Sequence, residues 1–326
     1  SAADSGAGLG GLKRVVGPRH GIPGRRAGGL GALVVLALGI AMACGGSPDD
    51  ALERGDRLYG AGQTDAAIAE YRLALRQRGD EPEILLRLGG LYGKKGEVEA
   101  SLRYIRRLLA EDSAYSFQAA DVLAEAARVA LERGAPDNMA RALGPVERLG
   151  IGLIPPDLRL ALARHYFGLS DYARALPLYL GAAGSGETAP EVELETARTF
   201  QELGGCREAL GYFESYLARG GSAGTDRSGV RWQYGNCLFA VAEEDRREGQ
   251  FRAAEGHLNT LIEQGVPRTL LDRAHFDRGE ILLARGDYQD AETDFLAVLE
   301  LNPARSGPLV AIAEERIREI RYGYLR

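Results

Sequence analysis

Between residues 50 and 303, small and bulky apolar residues return in a fixed order with polar residues between them. Aligned on Gly55, the order repeats 34 residues later at Gly89, and Ala163 returns 34 residues later as Ala197. At each anchor a small residue is followed three positions on by a bulky one and four further by Gly or Ser. Another small residue comes five positions later, and another bulky one four after that. The first unit reads Gly55, Leu58, Gly62, Ala67, Tyr71, Ala74; the second reads Gly89, Tyr92, Gly96, Ser101, Ile105, Leu108. The fourth reads Ala163, Tyr166, Ser170, Ala175, Tyr179, Ala182, and the fifth Ala197, Phe200, Gly204, Ala209, Phe213, Tyr216. The seventh runs Gly279, Leu282, Gly286, Tyr288, Ala291, Phe295, Val298 and closes on Pro303. Spacings of three and four put apolar residues on one helix face. Each unit therefore predicts two helices joined at the Gly, which can take the left-handed conformation that ends the first. Small residues let the two backbones approach, and bulky ones fill the space between them.

Two units depart from the pattern. The third, near 119–150, keeps Ala127, Ala130, Gly134 and Leu143 but carries Pro136 and Met139 where other residues are expected. The sixth starts at Gly235 and Leu238, yet its turn Gly249 comes seven residues late. Seven residues is close to two helical turns, so the apolar face keeps its direction and one longer first helix is predicted over about 227–247. After the seventh unit, Leu309, Ile312, Ala313, Ile317 and Ile320 form the apolar face of one more helix within 304–326. Such a helix suits the capping role that an open-ended stack requires.

This pattern resembles the tetratricopeptide repeat, and the resemblance covers nearly all of residues 50–303. It implies an all-α fold: an α-solenoid, wound as a right-handed superhelix, of about seven helical hairpins plus a C-terminal capping helix. It also implies a groove, lined by the first helix of each pair, that takes a peptide or helix of a partner protein. Carried over by position, the lining comprises Leu160, Arg164 and Phe167 in unit four, and Leu194, Arg198 and Gln201 in unit five. Unit six adds Trp232, Asn236 and Phe239, and unit seven Phe276 and Glu280. Partner binding is expected at Arg164, Phe167, Arg198, Gln201, Trp232, Asn236 and Phe239. Trp and Arg are frequent interface anchors, but two alternatives stand beside that role. Trp232 could instead pack between units six and seven, and the arginines could pair with Glu195, Asp157 or their neighbours. The family's clamp for acidic chain ends needs Lys and Asn at set positions, where unit one has Leu52 and Asp56.

Composition agrees with helices: Ala, Leu, Arg and Glu are abundant and lose little side-chain freedom in a helix. The net charge of −6 hides a split. Residues 1–26 carry +4, and the chain from Cys44 holds 35 basic and 45 acidic residues, or −10. An acidic body excludes nucleic acid as a partner, since phosphate neutralisation needs clustered Lys and Arg. Arg25 and Arg26 precede an uncharged run from Ala27 to Ala43 that ends Ala41-Met42-Ala43-Cys44. Basic residues, an apolar run and small residues before a cleavage point make a secretory signal. The Cys after small residues resembles the lipobox of bacterial lipoproteins, with Ala41 in place of the usual Leu. That resemblance implies a diacylglycerol on the Cys44 sulfur, cleavage just before it and an acylated new amino terminus.

Residues 1–43 are thus expected to be an export signal with a lipobox, with 1–15 upstream of the natural start. Residues 44–49 are expected to be the lipidated Cys and a flexible tether. Gly45 and Gly46, rather than Asp, imply the outer membrane in preference to the inner. The expected function is a membrane-anchored scaffold or adaptor facing the periplasm of the cell envelope. The alternative is a permanent structural subunit of one large membrane-associated complex.

Motifs for chemistry are missing. No HExxH, CxxC or Walker P-loop occurs. Gly6-x-Gly8-x-x-Gly11 has neither the strand nor the helix that a dinucleotide fingerprint requires. His165, His257 and His275 fall on separate predicted helices, and Glu243-Glu244 are adjacent and so do not face one another. No enzymatic activity, cofactor or metal is expected. Cys206 and Cys237 fall on neighbouring helices of units five and six, about one turn apart along the axis. A disulfide needs Cα atoms within about 7 Å, so two small buried thiols are the first reading, with a disulfide, which an oxidising compartment permits, as the alternative.

Overall fold

The computed structural model describes residues 48–183, 189–220 and 226–323, which form fifteen α-helices and, among the described residues, no strand. The helices run as seven antiparallel pairs. The first three are α1 (Pro48–Gly60) with α2 (Thr64–Arg78), α3 (Pro82–Lys94) with α4 (Val98–Glu111), and α5 (Ser116–Glu132) with α6 (Pro136–Leu149). Next come α7 (Pro156–Gly168) with α8 (Tyr172–Ala183), and α9 (Pro190–Glu202) with α10 (Cys206–Ala218). The last two are α11 (Arg227–Arg247) with α12 (Phe251–Gln264) and α13 (Arg268–Arg285) with α14 (Tyr288–Leu301). A final helix, α15 (Pro308–Tyr322), closes the stack against α14 and α13. Each pair contacts the next, so the fold is an all-α solenoid.

The small residues of the sequence pattern have a steric cause. A Cβ added to Gly55 would come within 2.5 Å of the Tyr71 ring; on Gly89, within 2.6 Å of Ile105; on Gly279, within 3.0 Å of Phe295. Each bulky residue follows its small partner by sixteen positions. The same spacing joins Ala163 to Tyr179 and Ala197 to Phe213, all four of them buried. One repeat is thus one ring or branched chain set into a gap on the facing helix. The turns follow as expected: Gly62, Gly96, Gly204, Gly249 and Gly286 all lie at positive φ, between 74° and 90°. In unit four Ser170 takes that conformation at 58°.

The irregular units resolve simply. The long helix of unit six is α11, with 21 residues against 13 in α1, α3, α7 and α9, and the Val266 carbonyl lies where a Cβ on Gly235 would sit. In unit three Pro136 opens α6, where its missing N–H is harmless, and Met139 is fully buried. The structure adds length to α13, which starts directly after Pro267 and runs for 18 residues. At the other end α1 starts at Pro48, within the segment read as tether. The export signal and Cys44 lie outside the described residues. Among the described residues no helix is long and apolar enough to cross a membrane.

One expectation is overturned. Cys206 and Cys237 are joined in a disulfide, with Cα atoms 4.9 Å apart. The extra turns of α11 carry it past the start of α10, so Cys206 meets the middle of α11 rather than its end. Arg207, the next residue, likewise reaches Asp245 on α11 at 2.6 Å.

Candidate protein-binding face

The odd-numbered helices, first in each pair, stand side by side, and charged side chains cross from one to the next. Asp56 of α1 meets Arg87 of α3 at 2.8 Å, and Arg128 of α5 meets Asp157 of α7 at 3.2 Å. Arg164 of α7 meets Glu195 of α9 at 3.0 Å. Further along, Arg246 of α11 meets Asp277 of α13 at 2.9 Å, and Glu280 of α13 meets Arg316 of α15 at 2.8 Å. Between α9 and α11 the link is neutral at one end: Arg198 Nε donates to Gln233 Oε1 at 3.0 Å. The exposed pairs among these contribute about 0–1 kcal/mol each, so they bear more on how adjacent helices align than on total stability; Arg246–Asp277 differs, because its acid is buried.

The arginines of this face are therefore partnered within the chain. Arg164 takes Glu195, as one of the two readings anticipates, while Asp157 takes Arg128 instead. Arg198 is half-buried and finds an amide rather than a carboxylate. Phe167 packs edge-on against Tyr172 and Tyr179, at 5.2 and 6.5 Å between ring centres. Phe239 is half-buried against the core, and Gln201 is half-buried. Leu194 belongs to the core, not to a groove lining. Trp232 does not pack between units six and seven: 54% of it is exposed. Asn236 donates to the Trp232 carbonyl one helical turn back at 2.9 Å. What this face offers is an uncovered indole flanked by partnered arginines.

Three buried carboxylates, not foreseen from the sequence, lie deeper. Asp245 accepts from Arg207 at 2.6 Å and contacts His257 Nδ1 at 3.0 Å. Asp294 accepts from Arg278 at 2.6 Å and contacts His275 Nδ1 at 2.8 Å. Asp277 is held by Arg246 and Arg273 at 2.9 and 3.0 Å. Two of the histidines thus orient buried acids within the chain. No group of three or more His, Cys, Asp or Glu among the described residues is placed to hold a metal ion.

The carboxyls of Asp277 and Asp294 are shifted in opposite directions. Burial pushes both carboxyls up. At Asp294 the hydrogen bonds from Arg278 and His275 outweigh it and hold the group below the ordinary value. At Asp277 burial wins over Arg246 and Arg273. A depressed carboxyl stabilises the fold fully above its unfolded value, near pH 4, and that contribution is lost as pH falls through the native value. A raised one opposes folding once it ionises. Asp294→Asn is therefore expected to lower stability by about 2 kcal/mol at neutral pH and by progressively less in acid. Asp277→Asn should be the milder change at neutral pH. Urea titrations of both variants measure this, and a larger loss for Asp277→Asn would refute the assignment.

Residues 52–116 and 239–306 match the tetratricopeptide repeat family model. No curated protein matches the chain. Among solved structures, the MamA protein is similar at 18% identity, covering 53% of this chain and 91% of that one, with a TM-score of 0.36. A tetratricopeptide repeat protein from Parabacteroides merdae shows 14% identity, covering 84% of this chain and 98% of that one, with a TM-score of 0.35. The TPR2AB domain of yeast Sti1, solved in complex with pHSP90, shows 14% identity, 84% and 98% coverage and a TM-score of 0.34.

Proposed function

We propose that this chain, which is built of tetratricopeptide repeats, is an adaptor tethered to a bacterial membrane by lipid on Cys44 and holding a partner protein in the cell envelope. A solenoid of these repeats is a protein-binding scaffold; the tether and the compartment are our reading. The disulfide between Cys206 and Cys237 carries it. Disulfides persist in oxidising compartments and are rare in the cytosol. The chain has three cysteines, and pairing two of them leaves Cys44, at the end of the apolar run. Several acyl chains on that residue would anchor the protein stably. Gly45 and Gly46 after the lipidated position favour the outer membrane.

Two experiments test the two halves of this reading. The intact mass of the membrane-bound protein should show a lipid-modified Cys44 as its first residue, and Cys44→Ser should release the protein or stall it as precursor. An unmodified residue 44 in the membrane fraction defeats the tether. Partner capture is expected to centre on Trp232, with Arg164, Arg198, Gln201, Asn236, Phe167 and Phe239 around it. Trp232→Ala should weaken crosslinking to the native partner at least about tenfold and leave the melting temperature unchanged, since the ring is largely outside the fold. Undiminished crosslinking would move the binding surface elsewhere.

A further inference from the structure

The second helices of units two to four, with the end of α7, line an open cleft of about 440 Å³ bordered by four arginines: Arg106 of α4, Arg141 and Arg148 of α6, and Arg174 of α8. Two of them are fixed from behind. Glu99 holds Arg141 at 2.8 Å, and Glu147 holds Arg174 at 2.6 Å, where its guanidinium also lies 3.9 Å from the centre of the Tyr166 ring. Arg106 and Arg148 are exposed and, among the described residues, neither has an ion-pair partner. The one acid on the lining, Asp137, is 82% exposed and sits 3.8 Å from His165. Asp171 also stands 3.9 Å from Arg174, so the carboxylates gather on Arg141 and Arg174 and leave the Arg106 and Arg148 guanidiniums without a counter-ion among the described residues, on a body that is −10 from Cys44 onward. Gly144, on the lining, has no side chain, and Arg148 Nη1 lies 4.0 Å from where its Cβ would be.

Like charges held together by a fold repel one another until an anion enters between them. A carboxylate has two oxygens and is satisfied by one guanidinium. A phosphate offers oxygens in several directions, and planar guanidinium forks match it with paired hydrogen bonds. We propose that this cleft binds a phosphate group, gripped by Arg106 and Arg148 and oriented by Arg141 and Arg174. The group could come from a soluble phosphate compound or from a phospholipid headgroup. The inference goes beyond the adaptor reading and does not depend on lipid at Cys44.

The mature full-length protein, purified in detergent, provides the test. Inorganic pyrophosphate should bind by calorimetry, and Arg106→Glu with Arg148→Glu should weaken it at least about tenfold. Because both side chains are exposed, circular dichroism and melting should match the parent. The Lys pair at the same positions should give an intermediate result, keeping charge but losing the fork. In a second arm, phosphatidylglycerol in phosphatidylcholine vesicles should protect α4 and α6 from hydrogen exchange if the source is a headgroup; pyrophosphate binding without that protection assigns a soluble one. Pyrophosphate binding unaffected by the Glu pair overturns the proposal. So does a hexaglutamate peptide that binds as tightly as pyrophosphate, since the cleft would then be an acidic-peptide site. Failure of the Cys44→Ser release experiment would leave the pyrophosphate arm intact, so the two readings fail separately.

Discussion

Replacing Ala291 by arginine is expected to detach the last helical pair. Ala291 is fully buried, one turn before Phe295 on the same face of α14 as Val298. Phe295 fills the gap above Gly279, whose missing side chain lets α13 and α14 come together. A methyl group fits that contact. A guanidinium on a long stem would have to displace Phe295 or leave its charge buried without a partner, at a cost of the order of 4 kcal/mol. Ala291→Gly, which only loosens the backbone, should cost about 1 kcal/mol. In a stacked solenoid each pair leans on its neighbours alone, so α13 to α15 should exchange amide hydrogens rapidly in the Arg variant while α1 to α8 stay protected. Uniform protection along the chain would show that the contact at Ala291 tolerates far more than its burial implies.

The second large effect is expected at the disulfide. It closes a loop of 31 residues between α10 and α11, and loop-closure entropy puts the stabilisation at about 3–4 kcal/mol. Cys206→Ser with Cys237→Ser should lower the melting temperature by roughly 10 °C. Reducing agent should do the same to the parent protein and nothing to the variant. The weakening should sit at units five and six, since the other interfaces do not depend on this link. Coincident melts of the oxidised and reduced parent would mean that the packing of α10 on α11 suffices alone.

The sequence carried the stacking well and the lateral chemistry poorly, for physical reasons. Gly55 against Tyr71 and Gly279 against Phe295 are contacts within one hairpin, and a hairpin of nearly constant length writes them at a constant spacing. The long α11 was readable because its insertion is close to a whole number of turns. The extension of α13 precedes its small anchor Gly279 and so leaves the pattern around it undisturbed. Contacts between hairpins have no such ruler. Arg164 to Glu195 and Glu280 to Arg316 differ in separation by five residues. The Cys206–Cys237 pairing hung on where the start of α10 meets a helix of unusual length. Burial of Asp294 required knowing that Arg278 and His275 arrive from α13, and a lone Asp in an amphipathic helix reads as solvated.

The ion pairs between odd-numbered helices have a mechanical consequence. They are struts placed across the joints at which one hairpin pivots on the next. Screening shortens the reach of exposed charges to about 8 Å at physiological ionic strength and to about 3 Å in molar salt. The hydrophobic seams do not weaken in parallel. The stack should thus be stiffer in dilute fluid and more compliant in brine wherever the strut is exposed, and least altered at Arg246–Asp277, where the acid is buried. The give between neighbouring hairpins should therefore be set by the salt of the fluid around the protein.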